Sequence, residues 1–104
     1  LYPSGNPSAI IIIQGDHGTA WDLDWDNPST DDAWQRLRNF SAIYFPDSEK
    51  RSQLSDDITL VNTFRIVFNT YFGSDYEILE DKMYWGKNHR PFNFIDVTDF
   101  VLNR

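Results

Sequence analysis

An unbroken apolar run is the first clear pattern along the chain. Residues 9–14 read AIIIIQ, and a β-branched run without polar alternation is typical of a strand that is buried on both faces, as in a parallel sheet. Gly15 ends this run. A second run from Ser41 to Phe45 predicts another strand, which ends at Pro46. Turn formers and charged residues fill 18–30 and 46–57, so both stretches are predicted to be loops.

Helical spacing of apolar side chains marks two further stretches. The clearer helix covers about Thr59 to Phe72, and Gly73 follows it, where a left-handed C-cap residue is typical. One face of this helix is apolar and is predicted to pack on the sheet. Its residues are Leu60, Phe64, Val67, Phe68 and Tyr71. The capping-box spacing of Ser29 and Asp32 predicts a shorter helix from about Asp31 to Asn39.

The order of these elements is strand, helix, strand, helix, which predicts an α/β fold with a layered sheet and flanking helices. Short mixed runs after residue 75 predict one or two edge strands. A chain of 104 residues suits one small domain. Because the first residue is Leu1 and the only methionine is Met83, we expect residues 1–104 to be a single domain or a fragment of a larger domain.

Composition and charge narrow the classes of partner. The net charge is −7, and acidic chains repel phosphate backbones, so nucleic acid is not an expected partner. No stretch approaches the roughly 18 apolar residues of a membrane span. The absence of cysteine excludes disulfides and thiolate metal sites. Aromatic residues make up 16% of the chain, and a cut domain would expose apolar surface, which predicts a homo-oligomer.

The sequence QGDHG places a carboxylate beside an imidazole directly after the apolar run. Adjacent side chains of a regular strand point to opposite faces, so Asp16 and His17 could share one ion only if the backbone turns. Gly15 and Gly18 would permit that tight turn. A carboxylate with an imidazole suits Zn²⁺ or Mn²⁺ better than Ca²⁺. An ordinary Asp-His-Gly turn without a metal is the alternative.

The stretch IIIIQGDHG resembles a strand-end motif of the alkaline phosphatase superfamily, which includes sulfatases and phosphoethanolamine transferases. In that family the Asp and His of an Asp-His-Gly turn bind a catalytic metal. The resemblance continues through YFPD, ITLVNTFRIVFNTYFG and FNFIDVT. The resemblance covers most of the chain. More narrowly, the same series of stretches is similar to bacterial membrane proteins with a sulfatase-like extracytoplasmic domain. It implies that this chain is the C-terminal portion of such a domain.

The resemblance implies roles for only a few residues. Asp16 and His17 match the metal-binding pair, and Gly18 matches the tight-turn position. The family's nucleophile and other ligands lie upstream of this motif, so the catalytic residues are unknown here. Many relatives place another His or Lys soon after the motif, and this chain has neither there. His89 is the candidate late ligand, with a surface-loop histidine as the alternative.

The function that the resemblance implies is hydrolysis or transfer of a phosphate or sulfate ester, in a parent that is extracytoplasmic and membrane-associated. The fragment alone is expected to be inactive, and its partner would be the missing upstream part of the domain. The alternative is a non-catalytic structural or interaction domain that kept the fold and lost the site. The upstream sequence would distinguish them, because a strand ending in Asp and followed by Thr, Ser or Cys favours the enzyme.

Two other constellations surround the Asp-His pair. Trp21 and Trp25 flank it and are predicted to wall a pocket, and a carbohydrate-binding module could use the same two rings. Three aspartates alternate between residues 22 and 26, as at the start of an EF-hand loop. The match then fails at Asn27 and Ala33, which occupy the glycine and glutamate positions. These aspartates are therefore predicted to form an exposed acidic turn.

Overall fold

The computed structural model describes residues 8–103, so a lead-in loop predicted for residues 1–8 lies almost wholly outside the described residues. The fold is mixed α/β. Its elements are β1 (Ile11–Gln14), α1 (Thr30–Leu37), β2 (Ser41–Tyr44), a 3₁₀ turn (Glu49–Gln53), α2 (Leu60–Tyr71), β3 (Tyr84–Trp85), β4 (Ile95–Asp96) and α3 (Thr98–Leu102). None of the helices within residues 8–103 is long and apolar enough to cross a bilayer.

The described residues form two compact units. One comprises residues 8–14 and 41–81 and contains β1, β2 and α2, and we name it the α2 unit. The other comprises residues 15–40 and 82–103 and contains α1, β3, β4 and α3, and we name it the α1 unit. Each unit is built from two separate stretches of chain, so its packing depends on contacts between residues far apart in sequence.

The strand β1 forms where the apolar run predicts it, but its environment differs. It pairs antiparallel with β2, with Ile11 opposite Tyr44 and Gln14 opposite Ser41, in a two-stranded sheet. Ile11 and Ile13 remain exposed. The prediction of a parallel strand buried on both faces is therefore wrong. An apolar run reports only a tendency towards burial, and it does not specify the direction of the partner strand.

The helix α2 agrees with the predicted bounds to within one residue at each end but buries a different face. Val67 is buried as predicted, whereas Phe64 is 54% exposed. The residues buried beside Val67 are polar, namely Asn62 and Thr63. The predicted apolar face is therefore wrong in large part. Gly73 has φ of 67°, which confirms the left-handed residue that was predicted after the helix.

Two asparagines of α2 pair with the backbone of the chain that follows the helix, and one of them, Asn62, is buried for this reason. The amide of Asn62 donates to the carbonyl of Leu79 (2.7 Å) and accepts from its N–H (3.0 Å). Asn69 makes the same paired contact with the backbone of Tyr76 (2.8 and 2.7 Å). These bonds satisfy the buried amide of Asn62 and the partly exposed amide of Asn69, and they hold an extended stretch of chain along the helix. Such pairing uses backbone atoms, so hydropathy patterns do not reveal it.

The α1 unit has an apolar core of its own. Trp85 of β3 packs there with three small side chains, and Trp25 lies 5.2 Å from its ring. The three small residues are Ala33, Val97 and Val101. The capping box predicted for α1 is confirmed, because Ser29 and Asp32 exchange side-chain and backbone hydrogen bonds. The hydrogen bonds from Ser29 hold the pKa of Asp32 below its usual range.

Candidate functional site

The Asp-His-Gly turn lies against the C-terminal end of α1. The N–H of Gly18 donates to the carbonyl of Arg36 (2.7 Å), and the N–H of Thr19 donates to that of Gln35 (3.0 Å). Carbonyls in the last turn of a helix have no partner within the helix. The turn therefore supplies the missing donors, and this contact fixes the position of Asp16 and His17.

Gly18 is required for this contact because of space. A Cβ atom on Gly18 would lie 2.0 Å from the carbonyl oxygen of Gln35 and 2.6 Å from that of Arg38. Both atoms belong to the backbone and cannot rotate away. At Gly15 the nearest atom would be 3.5 Å away, which is an ordinary contact. The predicted tight turn therefore depends on Gly18, because a side chain at this position would clash with the end of α1.

Asp16 and His17 converge at the surface of the α1 unit. The Oδ2 atom of Asp16 lies 3.6 Å from the Nε2 atom of His17. The side chain of Asp16 is 88% exposed and that of His17 is 46% exposed. The turn therefore brings the two predicted ligands together and leaves both accessible to solvent.

The second ring nitrogen of His17 has two competing partners. Its Nδ1 lies 2.7 Å from the carbonyl oxygen of Gly18 and 2.8 Å from Nη1 of Arg36. The carbonyl accepts only if Nδ1 carries the proton, whereas the guanidinium donates only if Nδ1 is bare. The two hydrogen bonds therefore belong to different tautomers of His17. No sequence pattern connects Arg36 with His17, because the two residues are 19 positions apart.

The two tryptophans near the turn have different surroundings. Trp21 is 84% exposed. Trp25 is half-buried, because its ring faces Trp85 on one side and the guanidinium of Arg36 lies 5.4 Å from its centroid. A guanidinium over an indole ring is a favourable cation–π contact. Trp25 thus positions Arg36 beside His17, while Trp21 remains a candidate pocket wall with its ring exposed to solvent.

His89 contacts a different aspartate, 63 residues away. Its Nδ1 lies 2.7 Å from Oδ2 of Asp26, and its backbone N–H donates to Oδ1 (3.3 Å). Partial desolvation acts to raise the pKa of Asp26. The hydrogen bonds from His89 and the positive charges of His89 and Lys87 outweigh it, so this pKa lies below its usual value. Neither sequence spacing nor hydropathy indicates this second pair.

The alternating aspartates form a turn, as predicted. Oδ1 of Asp24 accepts hydrogen bonds from the N–H groups of Asp26 (3.1 Å) and Asn27 (2.9 Å). Asp22 has φ of 55°, a conformation that aspartate tolerates better than most residues. Within residues 8–103, no group of three or more His, Asp or Glu side chains is arranged to hold a metal ion. His89 therefore joins no such group with Asp16 and His17.

No family model, curated protein or solved structure matches this chain. The candidate site therefore depends on its own geometry, which comprises the Asp16–His17 pair, the Gly18 turn that positions it and the guanidinium of Arg36.

Proposed function

We propose that this chain is the C-terminal, metal-site-bearing part of a sulfatase-like domain of the alkaline phosphatase superfamily. The reaction of the whole domain would be hydrolysis or transfer of a phosphate or sulfate ester. The observation that carries the proposal is the convergence of Asp16 and His17 on one exposed point. The layered sheet of such a domain would include strands supplied by the missing upstream part.

The separation of the two candidate ligand atoms fits a single ion. Two ligands at about 2.1 Å from a tetrahedral Zn²⁺ lie about 3.4 Å from each other. The 3.6 Å between Oδ2 of Asp16 and Nε2 of His17 is close to that value. A small movement of either exposed side chain would let both atoms bind one ion, with no change in the backbone.

The carbonyl of Gly18 is a suitable second partner for a metal-binding histidine. Such histidines commonly donate their other ring N–H to a backbone carbonyl or carboxylate, which fixes the tautomer. The 2.7 Å contact between Nδ1 of His17 and this carbonyl would leave Nε2 bare and facing Asp16. In that tautomer both candidate ligand atoms present lone pairs to the same point.

The chain supplies two ligands, which is one fewer than a catalytic zinc site takes from its protein. We infer that the remaining ligands and the nucleophile belong to the upstream part of the domain. In the complete site the ion would act as a Lewis acid towards the ester oxygens. The residues of this chain would hold it, and the guanidinium of Arg36 would add positive charge beside the anionic substrate.

Exposed apolar surface on α2 supports the existence of a larger domain. Phe64, Phe68 and Phe72 recur at four-residue spacing, and their rings contact each other along the helix. All three are exposed, as are Leu60 and Val61 beside them. Aromatic surface of this extent is rare on monomers and is typical of an interface. The missing upstream part or a second copy of the chain would cover it.

A non-catalytic interaction domain is the second candidate, and the position of Arg36 favours it. If the guanidinium donates to Nδ1, the proton of His17 resides on Nε2 and faces Asp16. That tautomer leaves no lone pair for a metal at Nε2. A glycan-binding module has weaker support, because Trp25 is half-buried against Trp85 and only Trp21 is widely exposed.

Calorimetric titration of the chain with Zn²⁺ and Mn²⁺ tests the metal proposal. We expect weak binding that disappears in His17→Ala, because two ligands do not close a site. The matched control is His89→Ala, which removes the other histidine and should bind the ion as the native chain does. Binding lost equally in both variants, or retained in His17→Ala, would contradict the assignment of the site to Asp16 and His17.

Nitrogen NMR of the imidazole of His17 separates the two candidate functions. A proton on Nδ1, with Nε2 shifting on addition of Zn²⁺, supports the half-site. A proton on Nε2 that is unaffected by Zn²⁺ supports the interaction domain.

We also expect no hydrolysis of p-nitrophenyl phosphate or p-nitrophenyl sulfate by the isolated chain. Metal-dependent turnover that Asp16→Asn abolishes would show that the upstream ligands are not needed.

A further inference from the structure

A tight turn at the tip of the β3–β4 hairpin presents an apolar side chain to solvent. The N–H of Asn93 donates to the carbonyl of Arg90 (3.0 Å), which closes a four-residue turn with Pro91 and Phe92 at its centre. Phe92 is 90% exposed, more than any other large apolar side chain of residues 8–103. Transfer of this ring out of water would be favourable, so the tip could gain free energy by contact with an apolar phase.

The segment around this tip has a charge opposite to that of the chain. Residues 82–94 contain three cations and no aspartate or glutamate, although the whole chain has a net charge of −7. Lys82 pairs with Asp96 at the base of the hairpin (4.0 Å), whereas Lys87 and Arg90 lie in the loop. Charges beyond about 10 Å are largely screened at physiological salt. The chain segment that forms the tip, residues 86–94, is therefore cationic, with Lys87 and Arg90 and no acidic residue of its own.

Contacts within the α1 unit fix the hairpin in place. Trp85 at its base is buried, and its Nε1–H donates to the carbonyl of Trp25 (2.9 Å). The backbone and ring of His89 both form hydrogen bonds with the carboxylate of Asp26, which ties the loop to the rest of the α1 unit. A loop that is already ordered loses little conformational entropy when it binds.

We propose that this hairpin tip is a contact site for a membrane surface that contains anionic lipids. Phe92 enters the boundary between headgroups and acyl chains, and Lys87 and Arg90 bind the lipid phosphates. Charge complementarity selects this occupant, because an apolar protein surface would gain nothing from the two cations. Contact through one ring and two cations is peripheral and reversible. The proposal is independent of any ester chemistry at Asp16 and His17.

Co-sedimentation of the 104-residue chain with vesicles tests this proposal. We expect binding to vesicles that contain phosphatidylglycerol and little binding to pure phosphatidylcholine, with a loss as salt is raised. Phe92→Ala should weaken binding about tenfold, from the apolar area it withdraws. Lys87→Gln and Arg90→Gln should each weaken it about fivefold. All three side chains lie in the loop, and circular dichroism checks that the variants remain folded.

Ile78→Ala and Lys50→Gln are the matched controls, because they remove an exposed apolar side chain and a cation from the α2 unit. Both should bind vesicles as the native chain does. Absence of binding to anionic vesicles would overturn the proposal, and so would equal losses in the controls. Soluble heparin provides a further comparison. Displacement by heparin together with indifference to Phe92→Ala would identify a site for polyanions and would also overturn the proposal.

Discussion

Both histidines of the chain lie beside an aspartate, but the two pairs arise in different ways. Asp16 and His17 are neighbours in sequence, and their side chains meet at 3.6 Å on an exposed turn. Asp26 and His89 are 63 residues apart and meet at 2.7 Å, with a second bond from the backbone of His89. The first pair is loosely joined and open to a ligand. The second pair is closely joined and holds two parts of the chain together.

This difference indicates which pair is suited to chemistry. In the distant pair the carboxylate of Asp26 already accepts two hydrogen bonds from His89, one on each oxygen, so about half of its acceptor sites are occupied. In the adjacent pair the 3.6 Å separation is longer than a hydrogen bond, and the carboxylate of Asp16 is solvated. A functional site requires groups that are positioned but not yet satisfied by each other. The turn at Gly18 supplies the position, and the exposure of Asp16 supplies the access.

The largest effect is expected from the turn that carries the adjacent pair. Gly18→Ala places a Cβ atom within 2.0 Å of a backbone oxygen, so the turn must move away from α1. We expect a loss of about 3 kcal/mol or more in the free energy of unfolding, measured by urea denaturation. Gly15→Ala is the matched control and should cost less than about 1 kcal/mol, because its nearest contact is ordinary.

Similar losses in the two glycine variants would show that the turn does not depend on contact with the end of α1. That result would remove the physical reason for the position of His17. It would also weaken the contrast between the Asp16–His17 pair, which local packing positions, and the Asp26–His89 pair, which the fold brings together.

A smaller effect is expected at the distant pair, and it depends on pH. The pKa of Asp26 lies below 3.8 in the folded chain, so this carboxylate stabilises the fold above pH 3.8. That contribution is lost as the pH falls through the folded-state pKa. His89→Ala removes the hydrogen bond and the charge of the ring, whereas the backbone hydrogen bond of residue 89, the charge of Lys87 and the partial desolvation remain. We therefore expect the pKa of Asp26 to rise towards its ordinary value, which carboxyl-carbon NMR would measure.

His17→Ala is the control for this titration, because His17 is not among the groups that shift Asp26. The pKa of Asp26 should remain low in that variant. A pKa that is unchanged in His89→Ala would contradict the tertiary pair. A rise in both variants would mean that the two pairs are coupled, and the contrast between them would fail.

Local signals in the sequence predicted the elements well and the tertiary environment poorly. The Ser29–Asp32 box and the position of Gly73 follow from rules about helix ends, and both are confirmed. The buried face of α2 was missed because Asn62 is satisfied by the backbone of Leu79, 17 residues away. Hydropathy treats such an amide as a surface residue. The antiparallel direction of β1 was missed for a related reason, since an apolar run contains no information about its partner.

The candidate site shows the same limit. Adjacency in sequence made the Asp16–His17 pair visible, and the structure brings these side chains together. Arg36 and the Asp26–His89 pair were not visible, because their contacts cross 19 and 63 residues. No motif connects these positions. Only the packing of α1 against the turn, and of the hairpin on Trp25, produces the contacts.

The smallest effect on folding is expected at Asp16 itself. Its side chain is 88% exposed, and its contact with His17 is longer than a hydrogen bond, so little of the fold depends on it. Asp16→Asn keeps the shape and removes the charge, and its urea midpoint should match that of the native chain. Zn²⁺ binding in the same variant should nevertheless weaken, because an amide is a poorer ligand than a carboxylate. A clear loss of stability with unchanged Zn²⁺ binding would make Asp16 a structural residue. The adjacent pair would then resemble the distant pair, and the reason for proposing a metal site at this turn would be gone.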